Sequence, residues 1–211
     1  MRKPQLEMSV TEPCRRAPAT ARNREPILAV LKRVLPRDGL LLEIASGTGE
    51  HAAFMTPRLS PGVEWQPSDA SPNALPDIDA HARASGCSRI RPAIVLDARA
   101  AAWPVERAAA VFCCNMIHIA PWAAAEGLFA GAGRLLAPAA PLVLYGPFKR
   151  SGAHTAPSNE AFDAGLRVQD PRWGVRCLDT EVAPLAEASG FRLDEVAAMP
   201  ANNLTVVFRR Q

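Results

Sequence analysis

Residues 40–54 read LLLEIASGTGEHAAF, and the fold follows from how that stretch changes character along its length. Leu40, Leu41, Leu42 and Ile44 form an apolar run too short for a globular helix, ending abruptly in small residues as a buried parallel strand does. The chain then turns through Ala45, Ser46, Gly47, Thr48 and Gly49. Gly47 and Gly49 admit backbone angles that a Cβ resists, and they let a ligand lie against bare main chain. From Glu50 to Arg58 the apolar positions Ala53, Phe54 and Leu59 read as a helix, whose first-turn N–H groups point back at the turn. Strand, glycine turn and helix together make a cradle for a nucleotide cofactor.

Gly47-x-Gly49-x-x-Ala52 also satisfies the dinucleotide fingerprint, which alone is weak evidence, so the acids around the loop have to decide. Glu43 closes the strand, Glu50 opens the helix, and Asp69 ends the next apolar stretch. A pyrophosphate brought here would meet like charges in a partly desolvated site. S-adenosylmethionine brings an ammonium and a sulfonium instead, and is favoured over a nicotinamide or flavin dinucleotide.

Working outward, the 211 residues and 48% hydrophobic content suit one sizeable α/β core and are short for two. The net charge of +3 is mild, and no run of Lys or Arg marks a nucleic-acid surface. Cys14, Cys87, Cys113, Cys114 and Cys177 are odd in number and lack CxxC spacing, so they predict neither a disulfide framework nor a zinc site, and no metal is expected. A reducing cytoplasm fits them. No apolar run approaches the roughly 18 residues of a membrane span. Residues 1–20 are polar, contain proline and lack periodicity. They are expected to be a disordered leader before one domain over 21–211; a transit peptide is the rival reading, opposed by Glu7 and Glu12. Pro26 is expected in the first turn of a helix through Val34, with Asn23 and Arg24 either at the mouth of the cofactor cleft or simply solvated.

Val63 to Pro67 alternates as a second strand, delivering Asp69 where this architecture places the acid for both ribose hydroxyls. A third strand over Ile90–Leu96 ends in Asp97-Ala98, which either reads the adenine amine and ring or caps the following segment. Ala108 to Cys114 is a fourth strand, buried on both faces, and it delivers Asn115-Met116-Ile117-His118 to the point where strand order reverses. His118 is the candidate general base there, should the acceptor need to lose a proton. Pro141 to Tyr145 is the fifth strand, with a lid-like loop reaching Asn159. Further helices are expected over Ala161–Val168 and Thr180–Ala188, then antiparallel strands Phe191–Ala197 and Leu204–Arg209. Their connection carries Asn202 and Asn203, which either line the substrate side or merely suit the turn.

The pattern of Glu43 to Gly49 with Asp69, Asp97 and Asn115 resembles class I S-adenosylmethionine-dependent methyltransferases. More narrowly, Asn23 to Ile27, Glu43 to His51, Trp65 to Asp69 and Asn115 to Trp122 are similar to the methyltransferase-like 26 family, formerly a domain of unknown function. So are Ser158 to Asp163, Asp170 to Arg176 and Met199 to Asn203, so the likeness covers nearly everything after residue 20. It implies a Rossmann-like α/β fold: a seven-stranded, mostly parallel sheet with a C-terminal antiparallel strand and helices on both faces. It implies S-adenosylmethionine as cofactor, S-adenosylhomocysteine as product, and no settled substrate; a small polar molecule is the acceptor expected from the residues around the methyl position. The expected cofactor contacts are Asn23, Glu43, Ala45, Ser46, Gly47, Thr48, Gly49, His51, Asp69, Ala70, Asp97, Ala98, Cys114, Asn115 and Met116. The expected acceptor side is His118, Asn115, Tyr145, Asn202 and Asn203. A regulatory protein that binds the donor without transferring a methyl group is the alternative from another class; a nicotinamide-dependent oxidoreductase is the third.

Overall fold

A computed structural model describes residues 18–211. The first helix, α1 (Pro18–Val34), buries Ile27, Leu28, Leu31 and Val34. Seven strands follow, β1 (Asp38–Ile44), β2 (Gly62–Asp69), β3 (Ile94–Val95), β4 (Ala110–Cys114), β5 (Pro141–Gly146), β6 (Phe191–Met199) and β7 (Asn203–Arg210). They form one sheet in the order β3-β2-β1-β4-β5-β7-β6. The first five pair in parallel, whereas β7 runs antiparallel to both β5 and β6. Strand order therefore reverses between β1 and β4, where Leu42 faces Val111 across the ladder. Because β6 runs with β5, the β6–β7 turn lies at the same sheet edge as the glycine loop, the edge where ligands of open α/β sheets bind.

Strand alternation builds two cores. Leu42, Ile44, Val111, Cys113, Leu142 and Leu144 pack beneath α4 (Trp122–Leu135), through Ala125, Leu128 and Phe129. Their neighbours Leu41, Ala110, Phe112, Val143 and Tyr145 pack on the other face against α1 and α2 (Glu50–Met55). With both faces covered, the central strands carry nearly continuous apolar runs, broken in β1 by the buried Glu43. Each such side chain contributes about 1.5–3 kcal/mol when fully buried.

Four local departures from expectation have physical causes. The helix expected after residue 20 already runs from Pro18, and Pro26 lies inside it, leaving the Arg22 carbonyl without its helical N–H. Thr20 and Asn23 are buried by this earlier turn, while residues 1–17, most of the expected leader, lie outside the described residues. The third strand shrinks to Ile94–Val95 because Pro92 has no N–H for a ladder. The Gln66 amide takes the Pro92 carbonyl at 2.8 Å instead, and Asp79 Oδ1 accepts from Ala93 N at 2.8 Å. The helix α5 covers Pro157–Gln169, beginning before Ala161. Before α6 (Ala183–Ala188), Leu178–Val182 makes a wide turn in which Glu181 Oε2 accepts from Cys177 N at 2.7 Å.

Candidate active site

The glycine loop places Ala45, Gly47 and Gly49 at φ of 59°, 60° and 80°. The two glycines answer different demands. A Cβ at Gly49 would stand 2.7 Å from the Ile78 Cα, so this position lets α2 approach α3 (Leu75–Ala84). A Cβ at Gly47 would meet nothing within 4 Å, so its bareness serves open space above the loop. Asp69 fixes the arrangement, accepting from Gly47 N at 3.0 Å and Ser71 N at 2.9 Å through different oxygens.

Beside this loop opens a first cavity of about 280 Å³. Ala45, Asp69, Ala70, Asp97, Ala98 and Met116 line it, so six of the expected cofactor contacts are brought together. Ile44 and Leu96 give it apolar walls, and Trp173 with Arg172 and Asp170 borders the other side. Asp97 comes with a partner the sequence did not announce: Arg99 donates from its backbone N–H at 2.9 Å and from Nη2 at 2.6 Å. The Arg99 hydrogen bonds hold that carboxyl below its usual range. Asp97 thus closes a local turn and pairs with Arg99 while facing the cavity; no helix follows for it to cap.

Glu43 and His51 stand behind the loop. Glu43 is 1% exposed; its Oε2 accepts from Ser46 Oγ at 2.8 Å and Trp65 Nε1 at 3.0 Å, while Oε1 has no partner among the described residues. Burial pushes its carboxyl up to about 7. His51 Nε2 donates to Asn23 Oδ1 at 2.9 Å, with Nδ1 3.9 Å from Glu43 Oε1, and burial pushes the imidazole down to about 4. Thr48 Oγ1 donates to Glu50 at 2.9 Å. The expected ring of acids is not what the structure builds: Glu43 is buried and lines neither cavity, Glu50 accepts from Thr48, and of the three only Asp69 lines the first cavity. Cys114 lines neither cavity, and burial pushes its thiol up.

A second, larger cavity of about 550 Å³ lies across the Asn115-Met116 step, with Asn115 on its wall and Met116 on that of the first. Asn115 adopts φ 62° where β4 ends. Arg22 and Asn23 come from α1, Tyr145 from β5, Ser158, Asn159 and Phe162 from α5, and Asn203 from the start of β7. Burial raises the Tyr145 phenol, opposed by hydrogen bonds with the Asn23 and Asn203 side chains. Asn202 does not line this space: its carbonyl accepts from Asn159 Nδ2 at 2.9 Å, tying the turn to α5.

His118 is the second correction. It is fully buried and lines neither cavity. Its Nδ1 accepts from Arg176 N at 3.2 Å, its ring stands edge-on to Phe148 with centroids 4.8 Å apart, and a Cβ at Gly146 would fall 2.4 Å from Nε2. Burial, with the Arg176 charge, pushes it down to about 3, so it is a neutral packing residue and not a base facing substrate. Arg22, Arg99, Asn159, Phe162 and Trp173 are the site residues that residue-by-residue reading missed. The segments carrying Asn159 and Trp173 were conspicuous in the family resemblance, which was the available signal.

The sheet order, the glycine loop and the paired cavities define a class I methyltransferase fold, and solved structures agree. An O-methyltransferase family protein from Burkholderia thailandensis superposes with a TM-score of 0.76 at 16% identity, over 89% of this chain and 56% of that one. Human N-acetylserotonin methyltransferase in complex with SAM gives 0.71 at 16% identity, over 91% and 52%. CalO1, a methyltransferase in calicheamicin biosynthesis in its SAH-bound form, gives 0.70 at 17%, over 89% and 54%. The chain spans about half the length of these structures, and at such identities the likeness is one of fold. The chain belongs to the family described as protein of unknown function DUF938, whose model matches residues 14–210. Among the described residues no helix is long and apolar enough to cross a membrane.

Proposed function

We propose that this chain is an S-adenosylmethionine-dependent methyltransferase of the methyltransferase-like 26 type, acting on a small polar molecule by in-line transfer. The observation that carries the reading is the pair of cavities meeting at Asn115-Met116, one beside the bare Gly47 and Asp69, the other lined by amides and a phenol. S-adenosylmethionine supplies, when bound, an electrophilic methyl group on sulfur. Asp69 has lone pairs left to accept from ribose hydroxyls, and Ile44, Leu96 and Met116 give the adenosyl group apolar walls. Trp173 offers an aromatic face. Asn115, Asn23, Tyr145 and Asn203 orient the acceptor, which is the main work of the protein in a displacement at carbon. Free Cys87, Cys113, Cys114 and Cys177 favour a reducing compartment, the cytosol.

Calorimetry with S-adenosylmethionine and S-adenosylhomocysteine, followed by a methyl-transfer screen of small-molecule pools, tests the reading. Saturable binding with transfer is the expected result. Binding without transfer would support a regulatory protein, and saturation by NAD(H) in place of either adenosyl compound would support an oxidoreductase.

A further inference from the structure

Resting on the methyltransferase reading, we infer that the acceptor is a small carboxylic acid, seated in the second cavity with its charge toward Arg22 and methylated on a carboxylate oxygen. Among the described residues Arg22 is the one charged side chain lining that cavity, and no carboxylate lines it. It forms no ion pair among the described residues, and its charge acts inward on the Tyr145 phenol. An ammonium substrate would meet repulsion there; an anion is drawn in.

The second argument concerns protons. Among the described residues no Asp, Glu, His, Lys or Cys lines the cavity. His118 is sealed behind Gly146 with Nδ1 committed to the Arg176 N–H, and His51 directs its N–H at the Asn23 amide from the far side. The Tyr145 phenol is harder to ionise than usual because it is buried. An alcohol, a phenol or an ammonium arriving here would keep its proton. A carboxylic acid, with a pKa near 4, arrives already ionised at neutral pH.

The third is the charge change along the reaction. A carboxylate oxygen forms a bond to the methyl carbon as the carbon–sulfur bond breaks, its electron pair staying on sulfur. Anion and sulfonium become a neutral ester and a neutral thioether, and no proton changes hands. Attraction between the two charges grows as water is excluded, and apart from Arg22 the surroundings here are uncharged amides and hydroxyls with Pro147, Phe162 and Pro200 as apolar wall. Asn115, whose side-chain amide has no partner among the described residues, can donate to the carboxylate oxygen and hold it at the step between the cavities.

The test incubates the chain with methyl-labelled S-adenosylmethionine and a panel of carboxylic acids, including benzoate, phenylacetate and succinate, each beside a matched alcohol, phenol or amine. Label should enter an acid, be released as methanol by alkali, and do so at a rate level from about pH 6 to 9. Arg22→Gln should raise KM for that acid by about tenfold or more and leave kcat within about twofold, with Arg22→Lys restoring part of the loss. Direct titration of the same acid into protein without the donor should lose affinity by the same factor. Alkali-stable label on an alcohol, phenol or amine would overturn the inference, as would a donor-binding protein that methylates none of the acids. Failure to bind the donor at all would instead remove the methyltransferase reading, and this inference with it.

Discussion

Glu43 and His51 sit 3.9 Å apart behind the glycine loop, with burial pushing one up to about 7 and the other down to about 4, and their pH effects oppose each other. From about 4.5 to 7 folded Glu43 keeps a proton that the unfolded chain has released, so its contribution to stability falls as pH rises. From about 4 to 6.5 folded His51 refuses a proton that the unfolded chain binds, so its contribution rises with pH. The two offset one another in the overlap, and above it only the Glu43 loss remains. Glu43→Gln keeps an acceptor for Ser46 and Trp65 but has nothing to ionise. Denaturant unfolding should show this variant gaining on the parent by about 1–1.5 kcal/mol between pH 6 and pH 8; a constant difference would mean that Glu43 is not the titrating group. At His118 the expectation is loss of packing. His118→Ala should cost about 2–4 kcal/mol in unfolding, since it empties a buried site and strands the Arg176 N–H. The histidine Cε1 proton should hold its NMR shift from pH 5 to 8, and a titration near 6.5 would return His118 to the role of base. The sequence located this residue correctly after β4, yet its orientation is set by Arg176, 58 residues away, a contact that no local pattern announces.

Among the elements, legibility followed burial. Strands β4 and β5 were readable because both faces are covered and their sequences stay apolar throughout, and β1 because its apolar run Leu40–Ile44 is broken only by Glu43. Edge strand β3 was overread, since Ile90–Leu96 has the composition of a strand but Pro92 interrupts the ladder. The start of α1 was misread because Pro26 looks like a first-turn residue, and only the packing of Thr20 and Asn23 reveals the earlier beginning. In the glycine loop the motif was legible and the division of labour was not. Gly49→Ala adds a Cβ 2.7 Å from the Ile78 Cα on top of a left-handed backbone, so unfolding free energy should drop by about 2–4 kcal/mol. Gly47→Ala carries only the backbone strain, about 1–2 kcal/mol, because its Cβ points into open space. If that space receives the donor, calorimetry should show Gly47→Ala folded but binding S-adenosylmethionine at least tenfold more weakly. Equal affinity for this variant and the parent would move the ligand off the loop.

Across the whole molecule, the segment from Asp170 to Arg176 is a strap that lines the first cavity and is tied to α5, which lines the second; it lacks any regular periodicity and stood out in the sequence only through the family resemblance. Arg176 donates to the carbonyls of Ile117 at 3.0 Å, Ala120 at 2.9 Å and Arg172 at 2.8 Å, and Gly174 N donates to the His118 carbonyl at 2.9 Å. Val175 N reaches Asp163 Oδ1 at 2.8 Å, and Lys149 Nζ reaches Asp163 Oδ2 at 2.9 Å. The loop after β4, the segment after β5, helix α5 and the strap are therefore a single hydrogen-bonded layer over the carboxyl edge of the sheet. Trp173 is its reporter, because it lines the first cavity, while Trp65 and Trp103 lie in the core and the half-buried Trp122 packs against the Arg176 guanidinium without lining that cavity. Binding of S-adenosylhomocysteine should change the tryptophan emission, and Trp173→Phe should remove most of that change while retaining binding by calorimetry. Arg176→Met keeps the aliphatic packing but leaves those three carbonyls without their donor. It should loosen the strap, reduce donor affinity by about tenfold, and raise hydrogen exchange across residues 116–120 and 170–176 together. Exchange rising in the strap alone would show that the layer is two independent pieces, and that the two cavities are coupled only through the Asn115-Met116 step.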